Sequence, residues 1–322
     1  MLSRVAERVY WIARYIERAE NSARLINAYT HQMLDLPAGV EPGWRQLVDI
    51  IGGDESFEEH YQTYNERNTV SFLVEEKDSP SSILSSVSMA RENMRTTREL
   101  LPTEAWLHCN ELYLHVRNHA RDAVPRRSRY NFLKEVIFRC QQLTGLLAGT
   151  MSHDVAYDLV RLGRNLERAD MTTRIVDSAI YILMPRQNEP GQYDNLLWLN
   201  VLKSSSADQM YRQHVRSRVE GKGVVKFLLQ DSHLPRAVAR AVSEAEVSLH
   251  HLPRNEVPLR RILQLRERVG AAGIDDMDLE EMHAFIDELQ SALNEVHSEI
   301  FRTWFKVGHP THRSEAATAM NA

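Results

Sequence analysis

The sequence has few cysteines, no long apolar run and no excess of positive charge, and each absence excludes a class of protein. Cys109 and Cys140 are the only cysteines in 322 residues, and neither belongs to a Cys-x-x-Cys motif. A disulfide scaffold or a cysteine-based metal site is therefore excluded. We expect two buried, reduced thiols in a cytoplasmic protein.

Membrane and nucleic-acid partners are not expected either. No run of about 18 apolar residues occurs that could cross a bilayer. The opening segment MLSRVAERVYW carries charges inside its apolar stretch, so a signal peptide is not expected. The formal net charge is −5 and the pI is about 6.3, whereas nucleic-acid-binding proteins usually have a strongly basic face. The arginine content is still compatible with a local cationic pocket.

The common cofactor and metal motifs are missing as well. There is no Gly-x-Gly-x-x-Gly, no Walker-type loop and no His-Glu-x-x-His. A di-iron site in a helical bundle needs two Glu-x-x-His motifs and two further glutamates, and only Glu280–His283 has that spacing. We therefore predict no metal and no cofactor, and we expect His283 to face solvent.

What the sequence does contain is helical periodicity throughout. No segment alternates as a strand would, and the 13 glycines and 11 prolines cluster at breaks between periodic segments. The fold class is therefore all-α. Helices are predicted over residues 3–35, 42–51, 55–66, 78–101, 102–120, 127–149, 153–184, 193–203, 206–219, 223–230, 234–250, 259–269 and 277–306.

One helix sequence occurs twice. Residues 5–26 and 155–176 align without a gap at an offset of 150, and further matches follow in the same order at offsets up to 155. An internal repeat sets the architecture of a chain. We predict a multi-helix bundle of two tandem repeats, 1–150 and 151–306, packed about a pseudo-two-fold axis, and a polar tail over 307–322.

The repeated helix keeps its charges. The identical positions include Arg14/Arg164, Glu17/Glu167, Arg18/Arg168 and Arg24/Arg174, while Glu20 is replaced by Asp170. On a helical wheel the apolar residues of the first copy share one face and most of these charges share the opposite face.

Two interpretations of this charged face stay open. It is either a solvated face with i,i+4 ion pairs, Glu20–Arg24 and Asp170–Arg174, each contributing about 0.2–0.5 kcal/mol, or a partly buried set. If the set is buried, Glu17, Glu167 and four arginines converge, because buried charges must be paired. Such a set either locks the two halves together, which we favour, or binds a charged ligand.

A related pattern occurs once more, at Arg91, Glu92 and Arg95. The matching stretch of the second half, Ala245-Glu246-Val247-Ser248, lacks these arginines. A site that used this segment would therefore be asymmetric.

The opening segment MLSRVAERVYWIARYIERAENSARLI resembles the bacterial alpha-E domain proteins. The segments from Pro80 to Asn93 and from Leu162 to Ala169 share this resemblance. It implies a cytoplasmic all-helical protein associated with a circularly permuted ATP-grasp protein and a transglutaminase-like cysteine protease. ATP-grasp enzymes form amide bonds through acyl phosphates, so the resemblance implies a role in a peptide-ligating or peptide-modifying system.

Three hypotheses about function follow. The first is an accessory subunit that binds a peptide or amino-acid substrate in an Arg-Glu groove, while any ATP is bound by the partner. The second is an enzyme in which arginines clamp a carboxylate or phosphate and Glu17 or Glu167 is the general base, which requires a raised pKa. The third is a purely structural salt-bridge network.

Overall fold

The computed structural model describes residues 3–35, 43–186, 191 and 193–306. These residues form α-helices and short 3₁₀ or π turns, with no strand among them, which confirms the all-α prediction. The α-helices are α1 Ser3–Asp35, α2 Arg45–Ile51, α3 Asp54–His60, α4 Glu66–Glu75, α5 Ile83–Arg95, α6 Thr103–His119, α7 Arg126–Thr150, α8 Val155–Leu183, α9 Asp194–Ser204, α10 Asp208–His214, α11 Gly221–Gln230, α12 Val238–His251, α13 Glu256–Ala271 and α14 Leu279–Ile300.

Most predicted helices agree with the structure to within a few residues, and the largest difference lies after α3. The helix predicted over 55–66 ends at His60, and a separate helix that was not predicted, α4, begins at Glu66. Asn65 caps α4, since its side-chain oxygen accepts a hydrogen bond from the Asn68 amide at 2.9 Å. The predicted tail over 307–322 lies outside the described residues.

Polar side chains fix the start of several helices. Ser82 caps α5 by accepting a hydrogen bond from the Ser85 amide at 3.0 Å. Asp278 and Glu281 form a capping box at the start of α14. The prediction that α5 starts at Asp78 was therefore too early, because the chain becomes helical only after the Ser82 cap.

The two longest helices, α1 and α8, lie against each other at the centre of the molecule. α1 also packs against α5, α7 and α9, while α8 packs against α12, α14 and α2. Each central helix is therefore covered on several sides, which explains why more than half of its residues are buried. No helix among the described residues is long and apolar enough to cross a membrane.

Both cysteines are buried and free, as predicted. Cys109 lies on α6 and Cys140 on α7, and burial raises the pKa of the Cys109 thiol to about 12. Such thiols stay protonated and unreactive at neutral pH.

Gly163 allows α1 and α8 to approach closely. A Cβ atom at this position would lie 2.3 Å from the backbone oxygen of Tyr10 on α1. That obstacle is backbone rather than the end of a flexible side chain, so the two helices would have to move apart.

We expect Gly163→Ala to lower the free energy of unfolding by about 2–3 kcal/mol, because the added methyl group overpacks the α1–α8 contact. Urea unfolding monitored by circular dichroism measures this change. Gly145→Ala on α7 is the control, since its Cβ would meet no atom within 4 Å and alanine favours a helix by up to about 1 kcal/mol. Equal stability of Gly163→Ala and wild type would contradict the described helix contact.

Candidate functional site

The charged face of α1 is buried in the protein interior. Glu17 is 1% exposed, Glu20 2%, Asn21 3% and Arg14 9%. The interpretation of this face as a solvated surface is therefore wrong, because α8 and the segment before α12 cover it. These side chains must then find their partners within the protein.

Glu167 of α8 is bound by two arginines of α1. Arg14 donates from Nε to Oε2 at 2.6 Å, and Arg18 donates from Nε to Oε1 at 2.6 Å and from Nη2 to Oε2 at 3.2 Å. Burial alone would raise the pKa of Glu167, but the two guanidinium groups lower it from 4.5 to about 2. Glu167 is therefore ionised at neutral pH.

Glu17 of α1 has the reciprocal arrangement. Its Oε1 lies 3.0 Å from Arg168 Nε of α8 and 2.8 Å from Arg236 Nη1. Burial opposes ionisation of Glu17, but Arg168 and Arg236 together lower its pKa. The same helix pair is thus joined by ion pairs in both directions.

Glu20 extends this set along α1. Its Oε1 accepts hydrogen bonds from Arg24 Nη2 at 2.7 Å and from Arg236 Nη2 at 2.8 Å. Arg236 Nη1 also donates to Asn21 Oδ1. The predicted i,i+4 pair Glu20–Arg24 is confirmed, but it is part of a larger cluster.

Arg236 is a member of the cluster that the sequence analysis missed. It follows Pro235 just before α12, and its backbone oxygen accepts a hydrogen bond from Thr172 Oγ1 at 2.8 Å. The corresponding residue of the first half is Ser81, so a comparison of the two halves concealed its role. The available signal in the sequence is an arginine next to Pro235, in the segment just before α12.

Tyr10 and His297 form a second group that was missed. The Tyr10 hydroxyl lies 2.9 Å from His297 Nδ1, and Arg14 Nη1 lies 3.2 Å from the same nitrogen. Since a guanidinium can only donate, Nδ1 accepts, and the imidazole is neutral. Burial, together with the neighbouring Arg14 charge, lowers the pKa of His297 to about 4.

Arg164 converges on the same region but has no close anionic partner. No carboxylate lies within ion-pair distance of it among the described residues, and its buried Nε has no hydrogen-bond partner. Burial and the neighbouring Arg168 charge lower the pKa of Arg164.

We call this cluster the Arg-Glu network. Among the described residues it holds six arginines and three glutamates, so it has three more positive than negative charges. Its members are Arg14, Glu17, Arg18, Glu20, Arg24, Arg164, Glu167, Arg168 and Arg236.

Asp170 and Arg174 lie at the edge of the network. They form the predicted i,i+4 pair, with Arg174 Nε donating to Asp170 Oδ2 at 3.0 Å. Arg174 borders a cavity of about 690 Å³ that is also lined by Arg45, Asp49 and Tyr181. Burial and the neighbouring Asp54 carboxyl raise the pKa of Asp49 to about 6.

Arg91, Glu92 and Arg95 lie outside the network. Arg91 donates to Asn110 on α6 at 2.8 Å, and its guanidinium carbon lies 4.7 Å from the centre of the Tyr113 ring. Glu92 and Arg95 form an exposed i,i+3 pair. The third charged pattern is therefore a surface feature of α5, because α5 turns this side toward α6 and solvent.

Potential metal ligands are found elsewhere. Among the described residues, two groups have three ligand atoms within 4.8 Å of one another: His60 with Glu76 and Asp78, and Asp177 with His283 and Asp287. The nitrogen Nδ1 of His283 lies 2.6 Å from Asp177 Oδ1, and the His283 side chain, which was expected to face solvent, is 30% exposed. Glu280, which has the Glu-x-x-His spacing to His283, belongs to neither group.

The geometry of the network limits its chemistry. A general base near neutral pH needs a raised pKa, whereas the pKa values of Glu17 and Glu167 are both lowered. The excess of positive charge instead favours binding of an anion.

A helical protein built around a paired Glu-Arg network is the class that these observations define. The chain belongs to the Alpha-E family, described as a predicted alpha-helical domain with a conserved ER motif, and the family model matches residues 1–305. The dipeptides Glu17-Arg18 and Glu167-Arg168 fit this description. The resemblance predicted from the sequence is thereby confirmed.

Two mycobacterial proteins are similar to this chain. An uncharacterized protein of Mycobacterium bovis is 20% identical over 92% of the chain, and one of Mycobacterium tuberculosis is 19% identical over the same share. The chain spans 35% of the length of each of these relatives. No solved structure matches it significantly.

We expect Glu167→Gln to lower the free energy of unfolding by about 3 kcal/mol or more, because Arg14 and Arg18 then lose a buried counter-charge. Chemical unfolding at pH 7 measures this loss. Glu92→Gln removes an exposed glutamate from an Arg-Glu pair and should change the free energy of unfolding very little. Equal effects of the two substitutions would contradict the buried network.

The Glu167 pair also predicts an acid dependence of stability. A lowered pKa in the folded state means that its contribution is present above about pH 4.5 and is lost as the pH falls towards 2. The stability difference between wild type and Glu167→Gln should therefore shrink over this range. A difference that is constant with pH would contradict the lowered pKa.

His297 predicts a second dependence at higher pH. Its pKa is lowered from 6.5 to about 4, so the unfolded chain binds a proton more readily and stability falls as the pH drops from about 6.5 to 4. In His297→Gln this fall should be smaller, as measured by thermal unfolding at several pH values. An unchanged pH profile would show that His297 is not buried beside Arg14.

Proposed function

We propose that this protein is an accessory binding subunit of an ATP-grasp-dependent system that ligates or modifies peptides. In this proposal the Arg-Glu network binds an anionic group of a peptide, an amino acid or a partner protein. The observation that carries it is the excess of three positive charges in the network, because largely desolvated charge without a counter-charge favours an anionic ligand.

The proposed partners come from the family resemblance. They are a circularly permuted ATP-grasp protein and a transglutaminase-like protein, and the ATP-grasp partner would bind any ATP. The region similar to this chain makes up 35% of each relative. An accessory role is compatible with that, since in the relatives the similar region is joined to further sequence.

We further propose that the chain arose by duplication and that its halves pack about a pseudo-two-fold axis. The reciprocal ion pairs support this, since Arg18 pairs with Glu167 and Arg168 pairs with Glu17. The ends of α2 and α9 are also alike, with left-handed backbone at Gly52 and at Ser206. Cytoplasmic location remains part of the proposal.

A purely structural network is the second candidate. The ion pairs join α1 to α8 and to the segment before α12, which is what cross-locking of the two halves requires. In this second candidate, unlike the first, the excess positive charge of the network binds no ligand.

The accessory role predicts that tagged protein retains the ATP-grasp protein of the same genome at near-native concentrations. A pull-down followed by mass spectrometry checks this, with an unrelated helical protein of similar charge as the control. Failure to recover the ATP-grasp protein would falsify the proposed partnership.

Kinetics separate the three hypotheses. Glu17→Gln and Glu167→Gln are compared with wild type in product formation by the reconstituted system, at a temperature where both variants are folded. A binding role lowers the apparent KM for an anionic substrate, because each substitution adds to the positive charge of the network, and it leaves kcat nearly unchanged. Loss of a general base instead lowers kcat by about 10²–10⁴-fold. A structural network lowers only the melting temperature.

A further inference from the structure

A cavity of about 390 Å³ opens onto one end of the Arg-Glu network. Arg24, Arg168 and Arg236 line it together with Glu20. The remaining wall is uncharged and comes from α7, the end of α9 and the segment before α12. These lining residues are Gln141, Thr144, Gly145, Ser205, Ser206, Leu234 and Pro235.

The charges around this cavity do not balance. Three guanidinium groups line it, while Glu20 lines it and Glu17 lies behind it in contact with Arg168 and Arg236. Three positive and two negative charges leave one positive charge. One monoanion in the cavity would neutralise it.

The cavity also has a hydrogen-bond donor without a partner. Ser205 is 3% exposed, and its buried Oγ has no hydrogen-bond partner. Buried hydroxyl groups are normally paired, so this one is available to a bound ligand. The side chains of Arg24, Arg168 and Arg236 are 11–15% exposed, so a ligand in the cavity would meet largely desolvated cations.

We propose that this cavity binds the carboxylate of an amino acid or a short peptide. Guanidinium groups bind planar carboxylates in a fork geometry, and the single unbalanced charge matches a carboxylate better than a phosphate, which carries more than one negative charge at neutral pH. The volume falls within the range of about 300–1,000 Å³ typical of small-molecule sites. This inference rests on the proposed binding function and names its substrate class.

The probes are acetate, acetamide and inorganic phosphate, titrated into the full chain. Arginine Nε–Hε signals in NMR spectra report on Arg24, Arg168 and Arg236 directly. Acetate should shift these signals in a saturable way, whereas acetamide should not. Tighter binding of phosphate would overturn the assignment to a carboxylate, and no saturable shift with either anion would overturn the site.

Gly145 allows the cavity to be filled without removing a charge. No atom lies within 4 Å of a Cβ placed there, so Gly145→Leu should fold normally and weaken acetate binding at least tenfold. Gly149→Leu, on the same helix and outside the cavity, is the matched control. Unchanged binding by Gly145→Leu would show that acetate binds elsewhere.

Arg24 provides a second test. Arg24→Gln leaves Glu20 paired with Arg236, and Arg174→Gln removes the corresponding i,i+4 arginine from the other cavity. Arg24→Gln should weaken acetate binding, whereas Arg174→Gln should not. Equal effects of these two substitutions would overturn the proposal. The pull-down of the ATP-grasp protein runs in parallel with wild type and with Gly145→Leu. If wild type retains the ATP-grasp protein but binds no acetate, this inference is rejected and the accessory role is left intact.

Discussion

The reciprocal ion pairs between α1 and α8 are the constraint on which the rest of the structure depends. Glu167 is bound by Arg14 and Arg18, and Glu17 is bound by Arg168. All of these groups are largely removed from water, where an unpaired charge would cost several kcal/mol. The register of the two helices is therefore fixed, since a shift of one turn would separate every pair.

This constraint explains the arrangement of the surrounding helices. Because both central helices carry buried charges opposite their apolar faces, each must be covered on more than one side, and α5, α7, α12 and α14 provide the cover. Gly163 allows the backbones to approach closely enough for the charged side chains to meet. Packing and electrostatics thus require the same geometry.

The network has more positive charge than its own carboxylates compensate. The network holds six arginines and three glutamates, so each carboxylate is shared among several guanidinium groups and three positive charges remain. The surplus lies partly beside an open cavity and partly at Arg164, whose buried Nε has no partner. Cross-locking and anion binding are therefore compatible functions of one set of residues.

The sequence by itself determined the helical fold, the repeated charged helix and the family. Periodicity is a local property, so it predicted α1 and most other helices, and the matched positions Glu17/Glu167 and Arg18/Arg168 pointed to the network before any contact was known. Which side chains contact one another in the network is decided by the tertiary structure. Arg236 and His297 lie 215 or more residues away in the chain from their partners on α1, and no local pattern encodes such a contact. Arg91, Glu92 and Arg95 resemble the network in sequence but lie elsewhere, because the side of a helix that is buried depends on what packs against it.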